Sequence, residues 1–193
     1  MKLKGLNIGL GICGSFCNHY IISEIIEDLK KEGANVIPII TENVKNVSTR
    51  FGKAKELVVF LKEITGNEVV DNLVKAEPMG PKNLVDIICI VPCTGVTIAK
   101  FANSIMDSPV LLAAKSHLRN CKPVVIGVAT NDGLGLSFQN IAKLLNTKDI
   151  YFVPFGQDDC VKKPKSLVFK KDKIVETLES ALDKKQIQPL IYS

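Results

Sequence analysis

Val91-Pro92-Cys93-Thr94-Gly95-Val96-Thr97-Ile98-Ala99-Lys100-Phe101-Ala102-Asn103-Ser104-Ile105-Met106-Asp107 is the stretch that decides the fold. Before it, residues 85–91 (Val-Asp-Ile-Ile-Cys-Ile-Val) form an apolar run of strand length. Such a run reads as a strand covered on both faces of a parallel sheet. After it, Ile98, Phe101, Ala102 and Ile105 recur at helical spacing. The junction is therefore a strand, a short hydroxyl-rich turn and a helix. Ligands of open α/β sheets sit at the carboxyl ends of strands, and the first turn of a helix offers unpaired N–H groups to an anion. Thr94 and Thr97 add two hydroxyls there. This turn is the place for a phosphate.

Toward the amino terminus, residues 6–12 read as a first strand that turns at Cys13-Gly14-Ser15. Ile22, Ile25, Ile26 and Leu29 then share one face of a helix that ends near Gly33, and residues 36–40 give a second strand. The polar segment 41–52 is a functional loop or a short helix at a strand's carboxyl end. Ala54, Leu57, Val58, Leu61 and Ile64 make a further helix face, stopped by Gly66. Residues 69–76 are ambiguous, and the turn 77–82, with two prolines and a glycine, is expected to hold no regular structure.

Toward the carboxyl terminus, Ser108 and Pro109 suit the N-cap and first position of a helix running to about Asn120. Residues 123–128 are another apolar strand, 129–135 a polar loop, 138–145 a helix and 150–153 a last short strand. A proline-bounded loop, 154–164, is a candidate lid, and a closing helix spans about 172–185. The alternation predicts a three-layer α/β domain, Rossmann-like or flavodoxin-like, with a mostly parallel sheet.

At 193 residues and 46% hydrophobic content, the chain is expected to form a single domain over 1–193. A net charge of +5 with scattered lysines argues against a nucleic-acid surface and suits an anionic ligand. No run approaches the ~18 apolar residues that suggest a membrane span, and the start Met-Lys-Leu-Lys lacks a cleavage site behind it, so a cytoplasmic protein is expected. The six cysteines do not fit a small secreted scaffold and read as structural thiols, with no metal site. His19 is expected on a helix surface and His117 inside an ordinary helix.

Gly9-Leu10-Gly11-Ile12-Cys13-Gly14 satisfies G-x-G-x-x-G, and Glu42 ends the second strand where a dinucleotide fold places its ribose acid. That pattern suggests NAD. The register favours another reading: the first glycine of the fingerprint ends its strand, which would leave only residues 6–8 before it. If the strand runs to Ile12, the loop is Cys13-Gly14-Ser15, Ser15 caps the helix, and a terminal phosphate such as that of FMN fits better. A plain turn and cap is the third reading.

These words resemble the flavoprotein superfamily, which includes phosphopantothenoylcysteine decarboxylases and flavin prenyltransferases. Its turn reads P-x-S-x-x-T-[IL]-A, with an Asp before the next helix; Pro92, Thr94, Thr97, Ile98 and Asp107 fill those places, and Gly11-Ile12-Cys13-Gly14-Ser15 matches the first loop. The words Thr49-Arg50-Phe51-Gly52, Ala76-Glu77-Pro78-Met79-Gly80-Pro81-Lys82, Thr130-Asn131-Asp132 and Phe155-Gly156-Gln157-Asp158 look like the family of dipicolinate synthase B subunits of spore-forming bacteria. That resemblance implies a flavoprotein-like partner of the synthase's nicotinamide-dependent A subunit, with NADP on that partner. The pair would oxidise a dihydrodipicolinate-type intermediate to dipicolinate during sporulation, in the mother-cell cytoplasm. It also implies a trimer-based homo-oligomer and FMN. Three features depart from the wider superfamily: no His lies in 77–84, Val96 replaces an Asn, and Ala129-Thr130 stand where prenyltransferases carry an Arg. The alternatives are therefore a non-catalytic binding subunit that has lost flavin, or an independent FMN-dependent decarboxylase or prenyltransferase.

The candidate cofactor cradle is Gly14, Ser15, Phe16 and Thr41 with Thr94, Gly95, Val96 and Thr97. A flat dicarboxylate asks for cationic donors, an Arg fork above all. Of the two arginines, Arg50 lies on the ligand side of the sheet, with Lys53 and Lys82 as helpers, whereas Arg119 suits a helix C-terminus. Glu77 and Asp132 are the candidate proton acceptors.

Overall fold

The computed structural model describes residues 2–192. Five strands, β1 (Asn7–Ile12), β2 (Asn35–Ile40), β3 (Ile87–Cys93), β4 (Val124–Thr130) and β5 (Ile150–Phe152), lie parallel in the order β2-β1-β3-β4-β5. Two short strands, β6 (Phe155–Gly156) and β7 (Leu167–Phe169), add an antiparallel hairpin, with β7 pairing the carboxyl end of β4 at Ala129 and Thr130. The helices are α1 (Ile22–Lys31), α2 (Glu42–Asn46), α3 (Ala54–Thr65), α4 (Leu73–Ala76), α5 (Gly95–Ala102), α6 (Pro109–Arg119), α7 (Ser137–Leu145) and α8 (Ile174–Leu182).

The sheet is covered on both faces. Every residue of β3 is buried. Ile87, Cys89 and Val91 join Ile8, Leu10 and Ile12 against α1, α3 and α8. Ile88 and Ile90 face the other way, against α5, α6 and α7. Between Ile90 and Cys93 the register with β4 slips, and Cys93 joins the second face beside Cys13. The glycines of β1 belong to packing rather than to a cofactor loop. A Cβ on Gly11 would meet Val110 Cγ1 at 2.9 Å, and one on Gly9 would meet Ile39 Cδ1 at 3.1 Å. The strand running to Ile12 removes the dinucleotide register, and Glu42 is an exposed residue in the first turn of α2.

Several expectations hold in detail. Ser108 caps α6 by accepting the Leu111 N–H at 3.3 Å, with Pro109 at the first position. Gly66 ends α3 at φ +70°, a conformation glycine adopts without strain. Others are corrected. The β6–β7 hairpin was not expected, because strands of two and three residues carry no readable alternation. Glu77–Met79 forms a short 3₁₀ helix, since Pro78 sits in its first turn where no N–H is required. Ser15 leads into a 3₁₀ segment, Phe16–Ile21, rather than directly into α1.

His117 on α6 is 2% exposed, with Nε2 toward the Asp86 carbonyl at 3.2 Å. Burial, aided by the Lys122 charge, pushes its pKa down to about 4. The unfolded residue titrates near 6.5 (its ordinary value), so the unfolded chain takes up a proton that the folded chain refuses. The stability present above that value is lost as pH falls through the window to about 4. His117→Gln is expected to flatten the urea-unfolding stability across this window by about 2–3 kcal/mol. An unchanged slope would mean the imidazole titrates normally in the fold.

Candidate functional site

The order β2-β1-β3-β4-β5 reverses between β1 and β3, and ligands of such sheets sit in the crevice at the carboxyl ends there. A cleft of roughly 770 Å³ opens at that place, walled by Gly14 and Ser15 after β1, Thr94 and Gly95 after β3, and Thr130 and Asp132 after β4. Phe16, Cys17, Phe51 and Val96 also line it.

Thr94 is the N-cap of α5: its hydroxyl accepts the Thr97 N–H at 3.3 Å and lies 3.1 Å from the Thr97 hydroxyl. The N–H groups of Gly95 and Val96 precede the first intrahelical bond and have no helical partner. Gly95 is required by contact, because a Cβ would meet Ser137 Oγ and Thr130 Oγ1, each at 2.9 Å. Thr97 differs from expectation. It is 6% exposed and lies beneath the cleft rather than on its wall, because its hydroxyl turns back to Thr94.

On the opposite wall the Ser15 N–H donates to the Cys13 carbonyl at 2.8 Å, and its Oγ accepts from Asn18 Nδ2 at 2.8 Å. The Ser15 O–H stays available to a ligand. Thr41 follows β2. Its N–H donates to the Ile12 carbonyl at 3.2 Å, and its Oγ1 is buried with no hydrogen-bond partner among the described residues. Thr41, expected in the cofactor cradle, lines neither this cleft nor the cavity beside it: its hydroxyl is buried at the end of β2.

Under the cleft, Cys13 and Cys93 are fully buried neighbours, and the Cys13 N–H donates to the Pro92 carbonyl at 3.2 Å. The Cys93 thiol, then Thr97 and the Thr94 backbone, hydrogen-bond Cys13 and lower its pKa against the opposing effect of burial. Burial pushes Cys93 well up.

The remaining candidates separate. Asp132 lines the cleft, but its carboxylate accepts the Ser137 N–H at 3.3 Å and so caps the start of α7. A Cβ on Gly135 would lie 1.9 Å from Asp132 Oδ1, so a side chain there would turn the carboxylate away from the Ser137 N–H. Glu77 is not in the site. It shares a shallow recess with Lys115 and Arg119 at the amino end of the sheet, on the order of 20 Å away along β3. Lys82 lies in the turn at that same end, just ahead of β3. Arg50 is exposed after α2, with its guanidinium 4.8 Å from the Phe51 ring centroid. Among the described residues no Lys or Arg lines the cleft, and none of residues 154–164 does.

A second, smaller cavity of roughly 380 Å³ adjoins the cleft through Phe16, Cys17 and Phe51. His19 lines it, half-buried, where a helix-surface residue was expected. Its Nε2 lies 2.9 Å from the Cys13 carbonyl and its ring 5.2 Å from that of Phe16. Burial lowers its pKa. The i, i+3 spacing of Phe16 and His19 was the available signal, but it is ordinary for two residues on one helical face.

A sequence model described as Flavoprotein matches residues 1–181. The chain belongs to the flavoprotein family. This flavoprotein is 49% identical over 190 residues to the B subunit of dipicolinate synthase from Bacillus subtilis, covering 98% of the chain and 95% of that relative. It superposes on the crystal structure of the dipicolinate synthase B subunit from Bacillus halodurans with a TM-score of 0.91 and 46% identity, covering 100% of the chain and 99% of that one. A Burkholderia xenovorans protein, solved in complex with FMN and described as a cubic protein cage for redox transfer, matches with a TM-score of 0.67. It is 17% identical over 92% of this flavoprotein and 96% of its own chain, which shows shared fold. No helix among the described residues is long and apolar enough to cross a membrane.

Proposed function

We propose that the chain is the FMN-holding B subunit of a dipicolinate synthase. With the synthase's A subunit, a nicotinamide-dependent dehydrogenase-like chain that carries NADP, it serves the oxidation of a dihydrodipicolinate-type intermediate to dipicolinate in the mother cell during sporulation. The observation that carries this reading is the 49% identity to the Bacillus subtilis B subunit across nearly both chains. We read residues 1–193 as one domain of a trimer-based homo-oligomer, in keeping with the cage described for the Burkholderia xenovorans neighbour.

The residues present fit FMN. The Gly95 and Val96 N–H groups and the Ser15 hydroxyl, all on the cleft wall, would hold the FMN phosphate. Bound FMN supplies a two-electron acceptor. Phe16 and Phe51 offer aromatic surface on the cleft wall. Arg50, held over Phe51, provides a bidentate donor for a substrate carboxylate. Arg50→Ala is expected to lower turnover of the reconstituted pair about tenfold; native rates would leave Arg50 a surface charge.

An absorbance spectrum, taken after FMN addition and gel filtration, tests the reading: a retained flavin spectrum supports it. That no cationic side chain among the described residues lines the cleft favours a second reading, a binding subunit without flavin. That reading expects no retained flavin and a partner that binds substrate less tightly alone than in the pair.

A further inference from the structure

Cys13 and Cys93 line neither cavity, yet each directly precedes a turn that walls the cleft: Cys13 the turn at Gly14 and Ser15, Cys93 the turn at Thr94 and Gly95. The strands that lead to them are neighbours in the sheet. The bond from the Cys13 N–H to the Pro92 carbonyl, at 3.2 Å, carries the pairing of β1 with β3 up to the two cysteines. Neighbouring strands lie about 4.7–4.9 Å apart, within the roughly 4.4–6.8 Å between Cα atoms that a disulfide spans. The register slip in β3 sets Cys93 on the face of the sheet that holds Cys13, whereas Cys89 packs on the other face. Both thiols are free, and both are 0% exposed.

The Cys13 sulfur is tied into the phosphate turn. It accepts from the Cys93 thiol, the Thr97 hydroxyl and the Thr94 backbone N–H. The Thr97 hydroxyl lies 3.1 Å from that of Thr94, the N-cap of α5, so one chain of hydrogen bonds joins Cys13 to the helix start. These donors favour the Cys13 thiolate, which is the nucleophilic form of the group. Burial pushes the Cys93 thiol well up, so it stays protonated and keeps donating.

We propose that Cys13 and Cys93 are a peroxide-sensitive pair whose disulfide weakens the hold of the cleft on a phosphate. The proposal rests on the reading of the cleft as the FMN site and adds its regulation. The Cys13 sulfur attacks one oxygen of hydrogen peroxide, and the O–O bond breaks. Cys13 becomes a sulfenic acid, and the departing oxygen takes up the Cys13 thiol proton and leaves as water. The Cys93 sulfur then attacks the Cys13 sulfur, the S–O bond breaks and the S–S bond forms. The Cys93 proton leaves with that oxygen as a second water. Two thiols lose two electrons and one peroxide gains them. A disulfide sulfur is a neutral, poor acceptor, so the Thr94 N–H and the Thr97 hydroxyl lose their partner and the start of α5 loosens. Access works in the same direction. Peroxide reaches the buried thiols only when the Gly14–Ser15 turn lifts, and a phosphate held by Ser15 keeps that turn down.

The test treats the full chain with hydrogen peroxide, alkylates the remaining thiols and maps the linked peptides by mass. A Cys13–Cys93 link, reversed by dithiothreitol, is the expected product. Equilibrium dialysis is expected to show FMN bound about tenfold more weakly by the oxidised chain than by the reduced one. FMN at ten times its dissociation constant is expected to slow formation of the link about tenfold, since only the empty chain reacts. Cys13→Ser keeps a hydroxyl for Thr94 and Thr97, and its FMN affinity is expected to ignore peroxide. Cys17 is exposed and lines the cleft, so Cys17→Ser is the control: the native response to peroxide is expected to persist in it. No Cys13–Cys93 link, a link that leaves FMN affinity unchanged, or a response lost in Cys17→Ser would each overturn the proposal. If Cys13→Ser fails to fold, the mapped link and the dialysis of the native chain decide alone. A reduced native chain that retains no flavin would remove the FMN reading and the coupling with it, whereas the mass of the linked peptide reports on the thiol pair without flavin.

Discussion

Ser15→Asp is expected to weaken FMN retention about 30- to 100-fold, a loss of about 2–3 kcal/mol, the size of a like-charge contact a few ångströms apart at the protein surface. Ser15 stands across the cleft from Thr94 and Gly95, where the helix start favours an anion. A carboxylate there faces the phosphate directly. Since no Lys or Arg among the described residues lines the cleft, nothing on the wall offsets the repulsion. Folding is expected to be little affected, because the Ser15 side chain makes one bond, to the neighbouring Asn18. Ser15→Ala, which removes only the hydroxyl, should weaken FMN by less. Flavin fluorescence after equilibrium dialysis reads all three proteins. Native retention in Ser15→Asp would remove Ser15 from the cofactor site.

Phe152→Ala is expected to lose about 3–5 kcal/mol of stability, the cost of removing a fully buried aromatic side chain and leaving its cavity. Phe152 is 0% exposed in β5, packs edge-on against Phe155 at 6.2 Å between centroids, and belongs to the α5–α6–α7 side of the core. Its backbone is held as well. The Phe152 N–H donates to Gln186 Oε1 and Gln186 Nε2 donates to the Phe152 carbonyl, both at 2.7 Å, so a side chain completes the free edge of β5. The edge cannot relax inward to fill the void without breaking that pair. Against a typical total of ~5–15 kcal/mol, the loss is large enough to read in a denaturant midpoint. A shift below about 1 kcal/mol would mean that the sheet edge collapses around the smaller side chain.

Much of the fold was legible because its signals are local. The apolar run ending at Cys93, the spaced apolar faces of α1, α3 and α7, and the Ser108-Pro109 start of α6 each specify an element from neighbouring residues. The glycines of β1 were ambiguous, since the same pattern serves a dinucleotide loop or a strand packed tightly under a helix. Length before the first glycine favoured the strand, and Val110 pressing on Gly11 gives the reason. The β6–β7 hairpin was illegible, because its pairing partner is the end of β4, far away in the chain.

The site was legible by half. The turn at Thr94 and Gly95 and the loop at Gly14 and Ser15 were readable as strand ends, and they wall one cleft. The roles of individual side chains were not. Thr97 faces inward, Asp132 is committed to capping α7, and Glu77 sits at the wrong end of the sheet. His19, read as surface, lines the second cavity.

The sequence by itself determined the alternation of strands and helices, the parallel sheet and the strand ends that offer N–H groups, because these depend on periodicity and on the residues at each turn. Only the tertiary structure decided which groups meet. The slip in β3 that sets Cys93 beside Cys13 depends on the meeting of segments far apart along the chain, and the contact of His19 Nε2 with the Cys13 carbonyl depends on how the turn between them is packed. Side-chain direction and hydrogen-bond partnership are set by packing across the sheet, and packing has no local signature.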